Sequence, residues 1–231
     1  MKIVKKCKYF TKTEIILWSV SVFLILGSYL FFGGNGILTL FASVIGVTSL
    51  IFCAKGNPMG QFLMIIFSLM YGIISYSFSY YGEMITYLGM TAPMAVFALV
   101  SWIKNPYEKN KSEVKVNKLQ NKEVLFMLFL SALITFIFYF ILEYFNTTNM
   151  LFSTLSITTS FIAVYLTFRR SPFFALVYAL NDIVLIILWI FASFENSEYI
   201  SVVVCFLVFL ANDLYGFISW TRMKKRQEMK I

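Results

Sequence analysis

The chain has 231 residues, of which 60% are hydrophobic, 19% aromatic and only 13% charged, and its mean hydropathy is +0.80. A soluble domain carries about 25% charged residues, and no polar stretch here is long enough to fold separately, so 1–231 reads as a single all-α polytopic membrane domain. The net charge of +8 is confined to the chain ends and alternate connections, with no basic surface interleaved with aromatics, which excludes nucleic acid as a partner.

The first element follows a basic start that contains Lys2, Lys5, Lys6, Lys8 and Lys12. The run EIILWSVSVFLILGSYLFFG at 14–33 is long enough to cross the hydrocarbon core. No small-x-small cleavage site follows it, so it reads as a retained helix and not a signal peptide. Further apolar runs at 37–54, 60–79, 84–103, 123–145, 150–168, 173–194 and 199–221 complete eight predicted transmembrane helices, because lipid-exposed backbone must satisfy its own hydrogen bonds. Connections are short except at 104–122, a lysine-rich stretch predicted to be a solvated connector with only unspecific attraction to anionic lipid. The sequon Asn146-Thr147-Thr148 is read as an ordinary turn.

Eight spans put both termini on one side of the bilayer. With the N-terminus inside, all 19 Lys and Arg residues fall at 1–13, 54–59, 104–122, 169–171 and 222–231. The outer loops then hold only Glu83, Glu195 and Glu198, with Glu143 near a helix end. This positive-inside asymmetry predicts cytoplasmic N- and C-termini. Trp102 and Trp220 fall at the inner interface and are expected to anchor there as part of an aromatic belt.

An internal repeat organises the spans. Aligned on Pro58 and Pro172, ILTLFASVIGVTSLIFCAKGNP overlies LFSTLSITTSFIAVYLTFRRSP without a gap, and VFALVSWIK then overlies LYGFISWTR after a shift of four residues. Equivalent helices lie four spans apart, so the two triplets run in the same direction. The predicted organisation is 1+3+1+3: an extra N-terminal helix (1–36), a three-helix repeat (37–103), a loop and linker helix (104–145), a second repeat (150–221) and a basic tail (222–231). Parallel repeats of this kind are related by an axis along the membrane normal.

Two spans carry the chemistry. Asn181-Asp182 lies within FFALVYALNDIVLIILWIF and Asn212-Asp213 within VVVCFLVFLANDLYGFISW. Such groups are costly in lipid and face a bundle interior, a partner or a water-filled path. At 1.5 Å per residue, Asp182 rises about 15 Å from Pro172, and Asp213 stands at similar depth measured from Trp220. Asn212 and Tyr215 share a helix face. The bland alternative is that the Asn-Asp pairs only bridge adjacent helices. There is no histidine, and Cys7, Cys53 and Cys205 lack pairing or metal spacing. His-ligated haem or di-iron chemistry is excluded, the usual general base near neutral pH is missing, and neither cofactor nor metal is expected.

The motifs SPFFALVYALNDIVLIILW (171–189) and FLANDLYGFISW (209–220), with Asn212, Tyr215, Gly216 and Trp220 in the order Asn-x-x-Tyr-Gly-x-x-x-Trp, resemble the PnuC family of bacterial vitamin transporters. The best-known members take up nicotinamide riboside. The resemblance implies a SWEET-like core around a central site, a homotrimer in the bacterial cell membrane, and facilitated diffusion with trapping by a cytoplasmic kinase. It also implies binding through Asn, Gln, Tyr and Trp side chains near mid-membrane. Asn181, Asn212 and Tyr215 match family positions, while Val177 stands where family members carry a tryptophan. Asp182, Asp213, Tyr178, Trp189, Tyr71 and Gln61 complete the predicted substrate-binding set.

A pyridinium riboside needs amide partners for its carboxamide, aromatic faces for its ring and acceptors for its hydroxyls. Asparagine donates and accepts at once, and tyrosine and tryptophan faces attract a cationic ring. Other readings stay open at this stage. The protein is a carrier of thiamine, riboflavin or a deoxynucleoside, or is ion-coupled through Asp182 or Asp213. An intramembrane aspartyl hydrolase would use the same two acids, but the Tyr-Asp and Gly-x-Gly-Asp segments of that class are lacking. A scaffold without transport leaves the intramembrane acids unexplained.

Overall fold

In a computed structural model that describes residues 9–32, 36–77, 81–108, 110–147, 149–194 and 196–229, eight helices are long and apolar enough to cross a membrane. They are α1 (Lys12–Phe32), α2 (Ile37–Ala54), α3 (Pro58–Ser77), α4 (Tyr81–Lys104), α5 (Asn121–Tyr144), α6 (Met150–Phe168), α7 (Phe173–Ser193) and α8 (Ile200–Glu228). Cys7, the lysines at 2, 5, 6 and 8, Lys109, Thr148, Glu195 and Lys230 lie outside the described residues.

Two boundaries differ from the sequence-based expectation. α4 begins at Tyr81, which draws Glu83 out of the expected outer loop into a buried first turn. α8 continues through the expected tail to Glu228. The run MKKRQE consists of good helix formers, and its Arg226 donates to Glu113 Oε1.

α2, α3, α4, α6, α7 and α8 close a ring in which each helix packs on two ring neighbours. α1 lies outside against α8 and α2, and α5 lies outside against α6. Their outward faces carry Phe23, Leu30 and Phe31 on α1 and Leu125, Phe129 and Phe136 on α5, as suits contact with hydrocarbon. α1 starts with a capping box: the Thr11 N–H donates to Glu14 Oε2 (2.8 Å) and the Glu14 N–H to Thr11 Oγ1 (3.2 Å).

The corners α2–α3 and α6–α7 are built alike. At the first, Gly56 takes φ +67°, with Gly56 N bonded to Cys53 O and Asn57 N to Phe52 O. At the second, Arg170 takes φ +55°, with Arg170 N bonded to Thr167 O and Ser171 N to Leu166 O. Both are Schellman turns, the ending that satisfies the last carbonyls of a helix. Glycine adopts this conformation freely, whereas Arg170 does so at a cost; its guanidinium bonds Ser101 Oγ at 3.0 Å.

Each corner receives the end of a distant helix. Ser101 Oγ and Trp102 Nε1 donate to Phe168 O and Thr167 O, both at 2.9 Å. Ser219 Oγ and Trp220 Nε1 donate to Ala54 O and Cys53 O, both at 2.7 Å. These carbonyls belong to final helical turns, which have no partner within their own helix. The expected interfacial anchoring of Trp102 and Trp220 is therefore corrected: both are fully buried, and their rings lie 5.3 Å apart.

The connector at 104–122 is also not a free solvated loop. It forms an antiparallel pair, β1 (Pro106–Tyr107) and β2 (Asn110–Val114), under the basic end of the ring. Val114 N bonds Gly56 O and Asn117 N bonds Arg170 O, so one strap joins both corners. Val114 is fully buried, and Gln227 of α8 holds the strap through Val116 N at 2.9 Å.

Within α4, residues Thr86–Thr91 form a wide π-turn, closed by Ala92 N–H to Tyr87 O. Pro93 accounts for it, since it lacks an N–H and its ring crowds the carbonyl four residues earlier. Gly72 of α3 leaves room for Leu88 of this turn: a Cβ there would come within 2.5 Å of the leucine side chain. π-Turns concentrate at functional sites, and this one faces the centre of the ring.

Candidate functional site

The centre of the ring holds a cavity of about 40 Å³. Its polar lining is Asn181, Asp182 and Tyr178 from α7, Asp213 from α8, Ser160 from α6 and Thr91 from α4. Tyr87, Phe67, Phe206 and Phe209 supply its aromatic wall. Of the predicted residues, Asn181, Asp182, Asp213 and Tyr178 come together here.

Asn181 is held by three hydroxyls of α6. Thr159 Oγ1 lies 2.7 Å, Ser160 Oγ 3.0 Å and Ser156 Oγ 3.5 Å from its Oδ1. Positions 156, 159 and 160 fall on one face of a helix, so three small polar residues make one cradle. With the carbonyl oxygen turned to α6, the amide NH₂ is the group left to face the cavity.

Asp182 and Asp213 line the cavity together, and both residues are buried. Asp182 Oδ2 is buried with no hydrogen-bond partner. An acceptor left so costs about 1–3 kcal/mol, a cost that a hydroxyl or cation of a bound solute would remove.

The other predicted site residues are engaged elsewhere. Asn212 Nδ2 donates to Ser21 Oγ of α1 (2.9 Å) and to Val208 O (2.8 Å). Asn212 neighbours Asp213 on α8, about 100° around the helix, so it faces α1 while Asp213 faces the cavity. Tyr215 shares the Asn212 face, as expected, and donates to Glu14 Oε1 at 3.2 Å. Gln61 Nε2 donates to Cys53 Sγ at 3.2 Å in the buried α2–α3 contact. Tyr71 and Trp189 belong to the core beyond the cavity, where Tyr71 packs on Tyr87 (4.4 Å between ring centres) and Trp189 on Tyr199 (5.4 Å).

Aromatic layers close the cavity at both ends. Tyr71, Tyr87, Phe67 and Phe206 form the layer away from the basic corners. Phe174, Trp102 and Trp220 form the layer beside them, with Phe174 and Trp220 at 4.9 Å. A space of 40 Å³ admits water, whereas small-molecule pockets measure about 300–1,000 Å³. Binding a riboside therefore requires these rings to move.

A second, larger chamber of about 710 Å³ opens at the basic end, with Tyr9, Glu14, Lys55, Tyr215 and Arg222 in its wall. Glu14 is its hub. It pairs with Lys55 at 3.1 Å and accepts from Tyr215, tying α1 to α2 and α8. Lys55 also sits 4.9 Å from the centre of the Tyr9 ring. Burial holds the Tyr9 hydroxyl above the usual tyrosine range, offset in part by the bond it accepts from Asn57.

Sequence reasoning missed the cradle Ser156, Thr159 and Ser160, the aromatic wall, and the buried acids Glu14 and Glu83. The cradle had a signal: hydroxyls at i, i+3 and i+4 on a membrane helix. The acids had only their closeness to helix starts.

The sequence profile described as nicotinamide mononucleotide transporter matches residues 36–222. The nicotinamide riboside transporter PnuC of Neisseria mucosa is 26% identical over 199 residues, covering 84% of this chain and 76% of that protein. The fold is similar to that in a crystal structure of the vitamin B3 transporter PnuC, with a TM-score of 0.81, 24% identity and 94% of each chain covered. Fold and kinship are those of a membrane transporter and not an enzyme, and the chain belongs to the nicotinamide mononucleotide transporter family, the PnuC transporters.

Proposed function

We propose that this protein takes up nicotinamide riboside across the bacterial cell membrane by facilitated diffusion, with the riboside trapped inside by cytoplasmic phosphorylation. The observation that carries the reading is the unmatched Asp182 oxygen beside Asp213 in a cavity walled by aromatic rings. In this reading the Asn181 amide meets the carboxamide, Asp182 and Asp213 accept from ribose hydroxyls and offset the ring charge, and Tyr178 and Tyr87 offer ring faces. Asn212, Tyr215 and Gln61 are assigned to structure, because Asn212 Nδ2, the Tyr215 hydroxyl and Gln61 Nε2 donate to other groups of the protein, although Asn212 Oδ1 is buried without a partner. Tyr71 and Trp189 are assigned to the core beyond the cavity.

The same reading makes 37–103 and 150–221 parallel three-helix halves of a SWEET-like core, with cytoplasmic termini. The matched corners and the exchange of Ser-Trp ends between the halves support it. A homotrimer follows from the family resemblance.

Thermal stabilisation of the purified protein tests the substrate, since a ligand that binds the native state raises its stability by mass action. Nicotinamide riboside should raise the melting temperature, while thiamine, riboflavin and deoxynucleosides leave it unchanged. A larger rise with one of those would reassign the substrate. The carboxyl pair favours one second reading, ion-coupled uptake, and uptake that persists unchanged under ionophores removes it.

A further inference from the structure

Glu83 is the acid that neither the central cavity nor the basic chamber uses. It lies in the first turn of α4 at the end of the molecule opposite the corners, is 8% exposed, and its Oε2 has no hydrogen-bond partner. No Lys or Arg in the sequence lies in the segments that turn at this end, and none of the ion pairs among the described residues involves Glu83. A buried carboxylate is normally paired, and an intramembrane acid that faces the bundle marks a path for solute or ion.

Its surroundings suit one kind of cation. Glu83 stands four residues before Tyr87 and so shares its helical face. The Tyr87 and Tyr71 rings lie 4.4 Å apart. On α3, Ser68, Tyr71 and Ser75 fall on one face, and both serine hydroxyls are buried with no partner. Tyr87 and Phe206, each packed on Tyr71, then line the central cavity. An unpaired carboxylate, two ring faces and free hydroxyls therefore lead from the acidic end to Asp182 and Asp213.

We propose that Glu83, Tyr71 and Tyr87 form a second site, an access station that takes permanently cationic aromatic rings of the N-alkylpyridinium class before they reach the central cavity. Cation–π attraction between the tyrosines and the ring adds to the carboxylate, and both are strengthened by desolvation. The inference rests on the transport reading above.

The test measures initial uptake of nicotinamide riboside and of its uncharged dihydropyridine form in cells that express the wild-type chain, Glu83→Gln or Tyr71→Leu. Each variant should raise KM for the cationic riboside about tenfold, the equivalent of about 1.4 kcal/mol, and leave KM for the neutral form unchanged. 1-Methylnicotinamide, a pyridinium without ribose, should compete with uptake by the wild type and lose that effect in Glu83→Gln. Equal loss for both forms, or an unchanged preference in a variant that folds, would overturn the station. So would a sodium dependence that Glu83→Gln abolishes while the preference for the charged form stays. If Glu83→Gln does not fold, Tyr71→Leu and competition on the wild type decide. Failure of the wild type to admit the riboside would instead sink the transport reading itself.

Discussion

At the scale of single residues, the site depends on which atom each polar side chain is made to present. Asn181 offers its NH₂ because three α6 hydroxyls occupy its oxygen. Thr159→Val with Ser160→Ala should free the amide to rotate and raise KM for uptake about tenfold, from about 1–2 kcal/mol of lost orientation. The thermal midpoint should move little, and kinetics set beside a melting curve separate the two effects. Asp182→Asn replaces a buried carboxyl group whose second oxygen is unmatched. It should leave stability unchanged or higher while weakening riboside binding at least about tenfold, as titration calorimetry can measure. The sequence showed that Asn181, Asp182 and Asp213 had to face an interior, because lipid tolerates them nowhere else. It did not show that Asn212 faces α1. α8 is apolar nearly all round, so hydropathy fixes its span and leaves its rotation open.

At the scale of elements, the basic end is held by reciprocal ties between helix ends and corners. Trp102 and Trp220 each fill the core and satisfy a terminal carbonyl of the other half of the ring. Trp102→Ala or Trp220→Ala should cost about 3–5 kcal/mol, read as a fall in the thermal midpoint of the detergent-solubilised protein. The corresponding phenylalanine variants should cost less, since they lose one hydrogen bond, about 0.5–1.5 kcal/mol. Gly60→Ala should be as damaging as the alanine variants, because its Cβ would lie 2.6 Å from the backbone nitrogen of Cys53. The spans and the Ser-Trp match were legible because length, prolines and Trp spacing survive in a single sequence. The strap was not. Its bonds to Gly56 and Arg170 run through backbone atoms, and a lysine-rich segment carries no periodicity that reports them.

At the scale of the whole molecule, a ring of six helices encloses a space too small for its proposed cargo and shuts it with aromatic layers on both sides. In the proposed mechanism, the solute gains access by movement of Tyr71 and Tyr87 at one end and of Phe174 and Trp220 at the other, about a centre that carries the acids. Single-cysteine variants in the strap should react with impermeant reagents only from the cytoplasmic side, which checks the orientation. Native mass measurement should return three copies of the chain. The most direct measurement is uptake of labelled nicotinamide riboside by liposomes that contain only this protein. The account predicts saturable filling to equilibrium without an imposed ion gradient, reduced at least about tenfold at low substrate by Asp182→Asn. Filling no faster than in protein-free liposomes, by a chain that is folded and correctly oriented, would contradict it.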